Sequence, residues 1–232
     1  MTIITHHTWY QFMQCQAHCY TPQMQAVLAN IENVIHNAAS VLKDDASSTV
    51  VVVNVDGRDL VIKRTNAKNW FYKLRRLFAM TRAQKNWKNA QKLLALGINT
   101  FEPIAILEER FGPLRKRGYF ICSYVSGISA SVYFAANSKL QEKWELAANH
   151  ICDVVALLAR NWISHRDLNL HNIILIDDKP WLIDLDAMRQ HRWYLTAKRG
   201  EKRERERFLQ EWPQMPEKYA QAMALFATVF KK

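Results

Sequence analysis

The chain has 232 residues, of which 49% are hydrophobic, 23% charged and 11% aromatic, with six glycines and six prolines. That composition belongs to a folded protein with a sizeable core, and it excludes a disordered tail, a collagen-like repeat and a low-complexity linker. The net charge of +11 is a surplus to be explained, and the four cysteines at 15, 19, 122 and 152 are too scattered for a disulfide framework.

No basic start followed by an apolar block occupies the first twenty residues, and the aliphatic runs, Val50–Val53 among them, are short. A bilayer span needs about 20 apolar residues. A soluble protein of a reducing, cytoplasmic compartment is therefore expected.

In chain order, Thr21-Pro22 followed by Met24, Val27, Leu28, Ile31 and Ile35 predicts one capped amphipathic helix. Val50–Val55 and Arg58–Lys63 flank Asp56-Gly57, a strong two-residue hairpin signal. That turn would pair Val50 with Lys63 and Val53 with Leu60. A helix from Thr81 should bury Ala83, Trp87, Ala90 and Leu94 and stop at Gly97. Two strands are expected around Phe111-Gly112-Pro113, over Phe101–Glu108 and Tyr119–Val125.

A long helix should follow through Trp144, Ala148, Ile151, Val155 and Leu158. Asn172–Ile176 and Trp181–Leu185, joined by Asp177-Asp178-Lys179-Pro180, form a smaller hairpin. The last helix carries Tyr219, Met223, Phe226 and Phe230. The order predicts a two-lobed α+β protein: a strand-rich first lobe over residues 1–125 and a small, mainly helical second lobe over 126–232.

Basic charge gathers in two places. No acid occurs between Asp59 and Glu102, where Lys63, Lys68, Lys73, Arg75, Arg76, Lys88 and Lys92 are found. A second run spans Arg189–Arg207. Such fields attract a phosphorylated substrate, an anionic membrane face or a nucleic acid, and a solvated surface gives the same pattern. Cys15, His18, Cys19, His6 and His7 lack the second paired element of a structural zinc site, so no metal is assigned to them.

The chemistry concentrates in His165-Arg166-Asp167-Leu168-Asn169-Leu170-His171-Asn172 and Trp181-Leu182-Ile183-Asp184-Leu185-Asp186. One carboxylate on a loop, a carboxamide five residues on and a carboxylate after the next hairpin are what phosphoryl transfer requires. The first orients the attacking hydroxyl, and the other two offer oxygens to Mg²⁺. Lys63, on the second strand of the upstream hairpin, supplies a cation for the nucleotide phosphates.

This set resembles the protein-kinase-like superfamily, and within it the bacterial lipopolysaccharide core sugar kinases of the Kdo and heptose kinase type. The likeness runs from about Val50 to Arg192. It includes Val61-Ile62-Lys63-Arg64, Thr81-Arg82-Ala83, Gly97-Ile98-Asn99-Thr100 and the hinge-like Tyr119–Gly127.

The resemblance implies a two-lobed kinase-like fold and ATP- and Mg²⁺-dependent phosphorylation of a sugar hydroxyl in an anionic glycolipid. The work would be done at the cytoplasmic face of the inner membrane, with nucleic acid not expected as a partner. By the same resemblance Asp167 is the catalytic base and Asn172 and Asp184 are the Mg²⁺ ligands. Lys63 holds the phosphates, and backbone groups of Ser123, Tyr124 and Val125 hold the adenine.

Three features depart from the pattern. Lys43–Ser48 stands in place of a glycine-rich loop, Asn86 stands where a glutamate would pair with Lys63, and Arg166 is more typical of protein kinases. They leave a weak enzyme or a nucleotide-binding pseudokinase as alternatives, and the Arg189–Arg207 run keeps a small atypical protein kinase as another. No Ala-Pro-Glu follows Asp184, which favours a non-peptide acceptor.

Overall fold

Asp56-Gly57 reverses the chain between two runs rich in β-branched residues, and the register it sets organises the first half of the molecule. The computed structural model describes residues 2–65, 80–134, 144–210 and 224. They group into two compact units, one of Met1–Lys92 with Phe101–Tyr124 and one of Leu93–Thr100 with Val125–Lys232. Lys68, Lys73, Arg75 and Arg76 of the acid-free stretch, and Tyr219, Met223, Phe226 and Phe230 of the final stripe, lie outside the described residues.

The first unit is built on a seven-stranded antiparallel sheet. Its strands are β1 (Ile3–His7), β2 (Gln11–Gln16), β3 (Ser40–Asp44), β4 (Ser48–Val55), β5 (Arg58–Thr65), β6 (Pro103–Phe111) and β7 (Leu114–Ser123). They lie in the order β1-β2-β6-β7-β5-β4-β3. Val50 faces Lys63 and Val53 faces Leu60, as the turn predicts. Because side chains alternate along a strand, burying Leu60 and Ile62 puts Lys63 on the opposite face.

Helices α1 (Pro22–Ala29) and α2 (Ile31–His36) join that core through Met24, Leu28, Ile31 and Ile35. The sequence predicts one helix here, and the structure has two. Asn30 leaves helical geometry at φ −124° and ψ 34°, its amide side chain donating back to the Ala26 carbonyl at 3.4 Å. Asparagine favours such local bonds over helix continuation. Strands β1 to β3 were not expected either, since no clean two-residue alternation marks them.

Helix α3 (Arg82–Ala95) starts on a reciprocal cap. Thr81 Oγ1 accepts from the Gln84 amide and Gln84 Oε1 accepts from the Thr81 amide, both at 3.1 Å. Its buried face is centred on Ala90, so Asn86 and Leu93 are inside while Leu94, the expected core residue, is 41% exposed.

The second unit contains β8 (Ile128–Ser129), α4 (Ala130–Tyr133), α5 (Trp144–Arg160), β9 (Ile163–Ser164), β10 (Ile173–Ile176), β11 (Lys179–Leu182), β12 (Arg189–Gln190) and α6 (Tyr194–Gln210). Strands β11, β10 and β8 form one small sheet, and β12 pairs with β9. Helix α5 buries Ala147, Ala148, Ile151, Cys152, Val155 and Leu158. The β10–β11 turn needs only Asp177-Asp178, at φ 49° and 60°, because Lys179 and Pro180 enter the strand.

Asn99 and Thr100 pin the end of β11. The Leu182 amide donates to the Asn99 carbonyl at 3.0 Å, and Thr100 Oγ1 donates to the Leu182 carbonyl at 2.6 Å. Among the described residues no helix is long and apolar enough to cross a membrane.

Candidate active site

Helix α5 ends at Arg160, and two strand residues later the chain enters the loop His165–Asn172. His165 is fully buried, with its Nε2 3.2 Å from the Ile183 carbonyl oxygen. Burial lowers the His165 pKa against the opposing pull of Asp184 and Asp167, so the ring is a neutral strut between the loop and the strand end that carries Asp184.

Asp167 follows Arg166, which sits in the left-handed region at φ 68°. Asn172 Nδ2 donates to the Asp167 carbonyl at 2.8 Å and to Asp167 Oδ2 at 3.2 Å. Asn169 Oδ1 accepts from the His171 and Asn172 amides, each at 3.0 Å, which closes the 3-10 turn Leu170–Asn172. The Ile183 amide then donates to the Asn172 carbonyl at 2.9 Å. Asp184 comes next, itself left-handed at φ 57° and ψ 61°.

The structure therefore brings Asp167, Asn172 and Asp184 onto one hydrogen-bonded loop pair. With its nitrogen turned to Asp167, Asn172 presents Oδ1 the other way. That carbonyl oxygen and the Asp184 carboxylate are both oxygen donors, the ligand type that Mg²⁺ takes.

Two further groups reach this loop from α6. Arg207 Nη1 donates to Asp167 Oδ1 at 2.8 Å and to the Arg166 carbonyl at 2.6 Å. Glu204 Oε1 accepts from the Arg166 amide at 2.9 Å. Glu204 is 7% exposed, and burial pushes its carboxyl up to about 7, against backbone bonds from Arg166 and His165 and the charge of Arg207. The sequence reading missed both residues because it took Arg189–Arg207 as one basic field. Helical spacing at 196, 199–200, 203–204 and 207 was the available signal, and it gives a face without saying what the face meets.

In the first unit Lys63 lies on β5 opposite Phe120 of β7, and Ser123 ends β7 opposite Leu60. The Ser123 amide donates to the Glu102 carbonyl at 3.0 Å and the Tyr124 amide to the Asp59 carbonyl at 2.9 Å. Among the described residues the Val125 amide makes no such backbone bond, so it is the donor left in this stretch. Asn86 is buried on α3, its Nδ2 donating to the Arg82 carbonyl at 3.1 Å.

The β3–β4 turn replaces the glycine-rich loop and keeps its acids to itself. Asp45 Oδ1 accepts from the Ser47 and Ser48 amides at 2.7 and 2.8 Å, and Asp44 Oδ1 accepts from Thr49 Oγ1 at 2.8 Å. Bonds from the Ser47 hydroxyl and Lys43 hold the Asp45 carboxyl well below the usual carboxylate range. His18, Cys19 and Glu102 do converge, but Arg58 lies among them, 2.7 Å from Glu102 Oε2 and 3.8 Å from Cys19 Sγ. A permanent cation is thus already bonded to two of the three groups.

Comparison with known proteins adds three findings. Residues 40–224 match the family model described as the lipopolysaccharide kinase (Kdo/WaaP) family. The 3-deoxy-D-manno-octulosonic acid kinase of Xylella fastidiosa (strain 9a5c) is 26% identical over 107 residues, 46% of this chain. That match spans 41% of the relative's length. A solved structure of WaaP in complex with acyl carrier protein aligns with a TM-score of 0.53 at 16% identity, covering 87% of this chain and 90% of that one. The likeness is one of fold.

Proposed function

The chain belongs to the lipopolysaccharide kinase (Kdo/WaaP) family, and from that premise we propose that it transfers the γ-phosphate of ATP to a sugar hydroxyl of the lipopolysaccharide inner core. The observation that carries this reading is the Asp167–Asn172 pair, a half-buried carboxylate locked by its own loop carboxamide. Such a group can accept one proton at a fixed place, which is what transfer to an alcohol asks of a protein.

The acceptor hydroxyl oxygen bonds to the γ-phosphorus as the bond to the β–γ bridging oxygen breaks. ADP leaves, and the hydroxyl proton passes to Asp167. Asn172 Oδ1 and the Asp184 carboxylate would hold Mg²⁺, whose charge would offset that of the phosphates. Lys63 binds the nucleotide phosphates, and backbone groups of Ser123, Tyr124 and Val125, the Val125 amide as donor, read the adenine edge.

The acceptor class, an anionic glycolipid at the cytoplasmic face of the inner membrane, agrees with the net charge of +11. Exposed Trp193, Tyr194 and Leu195 at the start of α6 suit contact with a lipid surface.

The test is transfer of labelled γ-phosphate from ATP with Mg²⁺, offering core-truncated lipopolysaccharide and a generic protein side by side. Label in the glycolipid, lost in Asp167→Ala, is the expected result. Label confined to protein would replace this reading with a small protein kinase, and none at all, with ATP still bound, with a pseudokinase.

A further inference from the structure

Beside the catalytic loop, within the second unit, lies a cavity of about 410 Å³. Its wall is formed by α6 and the β9–β12 pair, and five of its side chains are arginines: Arg166, Arg189, Arg199, Arg203 and Arg207. Its volume falls in the range of small-molecule sites, about 300–1,000 Å³. The spacing of Arg199, Arg203 and Arg207 on a helix aims all three at the same side.

Gly200 makes the cavity a built feature. A Cβ there would collide with Ser164 Oγ and come within 2.7 Å of His191 Nε2, so glycine lets α6 lie against β9 and β12 with neither side chain displaced. The five arginines line this one space. Among the described residues Arg207 alone of the five pairs with a carboxylate, that of Asp167.

Five like charges so placed repel one another unless an anion joins them. The one carboxyl in the wall among the described residues, Glu204, is bonded to the Arg166 amide, and its raised pKa weakens it as a counter-charge near neutral pH. His191 reports the same excess. It is buried enough to fall below its ordinary pKa, and the charges of Arg189 and Arg166 lower it further. Its Nε2 is 2.8 Å from Ser164 Oγ, and its buried Nδ1 has no hydrogen-bond partner among the described residues.

We infer that this five-arginine cavity is an acceptor subsite, which takes a phosphate monoester already present on the glycolipid and so sets the acceptor hydroxyl at Asp167. Guanidinium groups match phosphate oxygens in pairs, and a dianion suits this charge better than a neutral sugar does. Arg207 connects the two functions, lining the cavity while holding Asp167 Oδ1. The inference rests on the kinase reading for the identity of the acceptor, whereas the cavity's preference for phosphate can be tested without any transfer.

The experiment compares Arg199→Gln/Arg203→Gln with Lys198→Gln/Lys202→Gln, which removes equal charge from helix residues outside the cavity wall. Arg199→Lys/Arg203→Lys, keeping charge but not the planar fork, guards against a folding defect. Stabilisation by inorganic phosphate and by a sugar phosphate, against the unphosphorylated sugar, is read as thermal shift. KM is read on lipopolysaccharide with and without its lipid phosphates.

The arginine-to-glutamine pair should lose the phosphate-dependent shift and raise KM for the phosphorylated acceptor at least about tenfold. The lysine-to-glutamine pair should keep both, and the arginine-to-lysine pair should fall between. Equal losses in the two glutamine pairs would mean a general field, and no loss in either would mean no site. Either result overturns the inference. A phosphate shift that needs the arginines, in a protein transferring nothing to lipopolysaccharide, would leave the cavity standing and the kinase reading refuted. A shift by inorganic phosphate with no KM change between acceptors would overturn the acceptor assignment.

Discussion

Asp167 spends one oxygen on Arg207 and the other on Asn172, so its orientation is set from two elements. The Arg207 and Asp167 side chains are 52% and 43% exposed, and an ion pair that wet adds about 0–1 kcal/mol to stability. Its value is positional. Arg207→Ala should lower kcat about 10- to 100-fold while KM for ATP stays within about twofold, since a misplaced base costs rate rather than nucleotide affinity. Steady-state kinetics on ATP decide this, and a rise in KM for ATP at constant kcat would contradict it.

Glu204 makes a prediction in pH. Its folded pKa of about 7 exceeds the ordinary 4.5, so between these values the folded state holds a proton that the unfolded state has released. Stability from this group is present at low pH and declines as pH rises through that window. The Arg166 amide, the His165 backbone and Arg207 favour ionisation, and burial outweighs them. Glu204→Gln keeps an acceptor for the Arg166 amide and cannot titrate. Its melting temperature should fall less than that of wild type between pH 5 and 8; an unchanged slope would contradict the assignment.

At the scale of elements, the second unit depends on close approaches of small residues. A Cβ on Gly127 would come within 2.6 Å of the Leu175 carbonyl oxygen and of Ile174 Cγ2, so β8 can lie against β10 only with glycine before it. Gly127→Ala should cost about 1–3 kcal/mol in chemical denaturation. Stability equal to wild type would mean that β8 is held otherwise.

Elements governed by local signals were legible in the sequence. Asp56-Gly57 gave the register of β4 and β5 residue by residue, and Thr81 and Gly97 bracketed α3. Elements governed by distant partners were not. β1 and β2 carry polar residues at most positions and are strands because β2 pairs with β6, about ninety residues away. The choice of Leu93 over Leu94 was settled by packing, and the break at Asn30 by a local side-chain bond that the apolar periodicity hides. The site divides in the same way: Asp167, Asn172 and Asp184 stand in a recognisable order, while Glu204 and Arg207 act through docking that no spacing in the loop announces.

At the scale of the whole molecule, +11 is the quantity to account for. In the described residues a concentrated share of it lines one cavity next to the His165–Asn172 loop. An acceptor bearing several negative charges should then be captured with a strong ionic-strength dependence. From low salt to about 0.15 M the Debye length falls to about 8 Å, and kcat/KM for the glycolipid should decline several-fold with kcat nearly constant. Salt-insensitive kcat/KM would remove electrostatic capture from the account.

The central claim is that phosphate passes from ATP to a sugar hydroxyl whose proton Asp167 accepts. Its most direct measurement is mass spectrometry with ³¹P NMR on core-truncated lipopolysaccharide after incubation with the protein, ATP and Mg²⁺, beside Asp167→Ala as the blank. The account predicts one added phosphate monoester on an inner-core sugar with the wild type and none with the variant, which should remain folded and still bind ATP. An unmodified glycolipid, or equal phosphorylation by a folded Asp167→Ala, would contradict it.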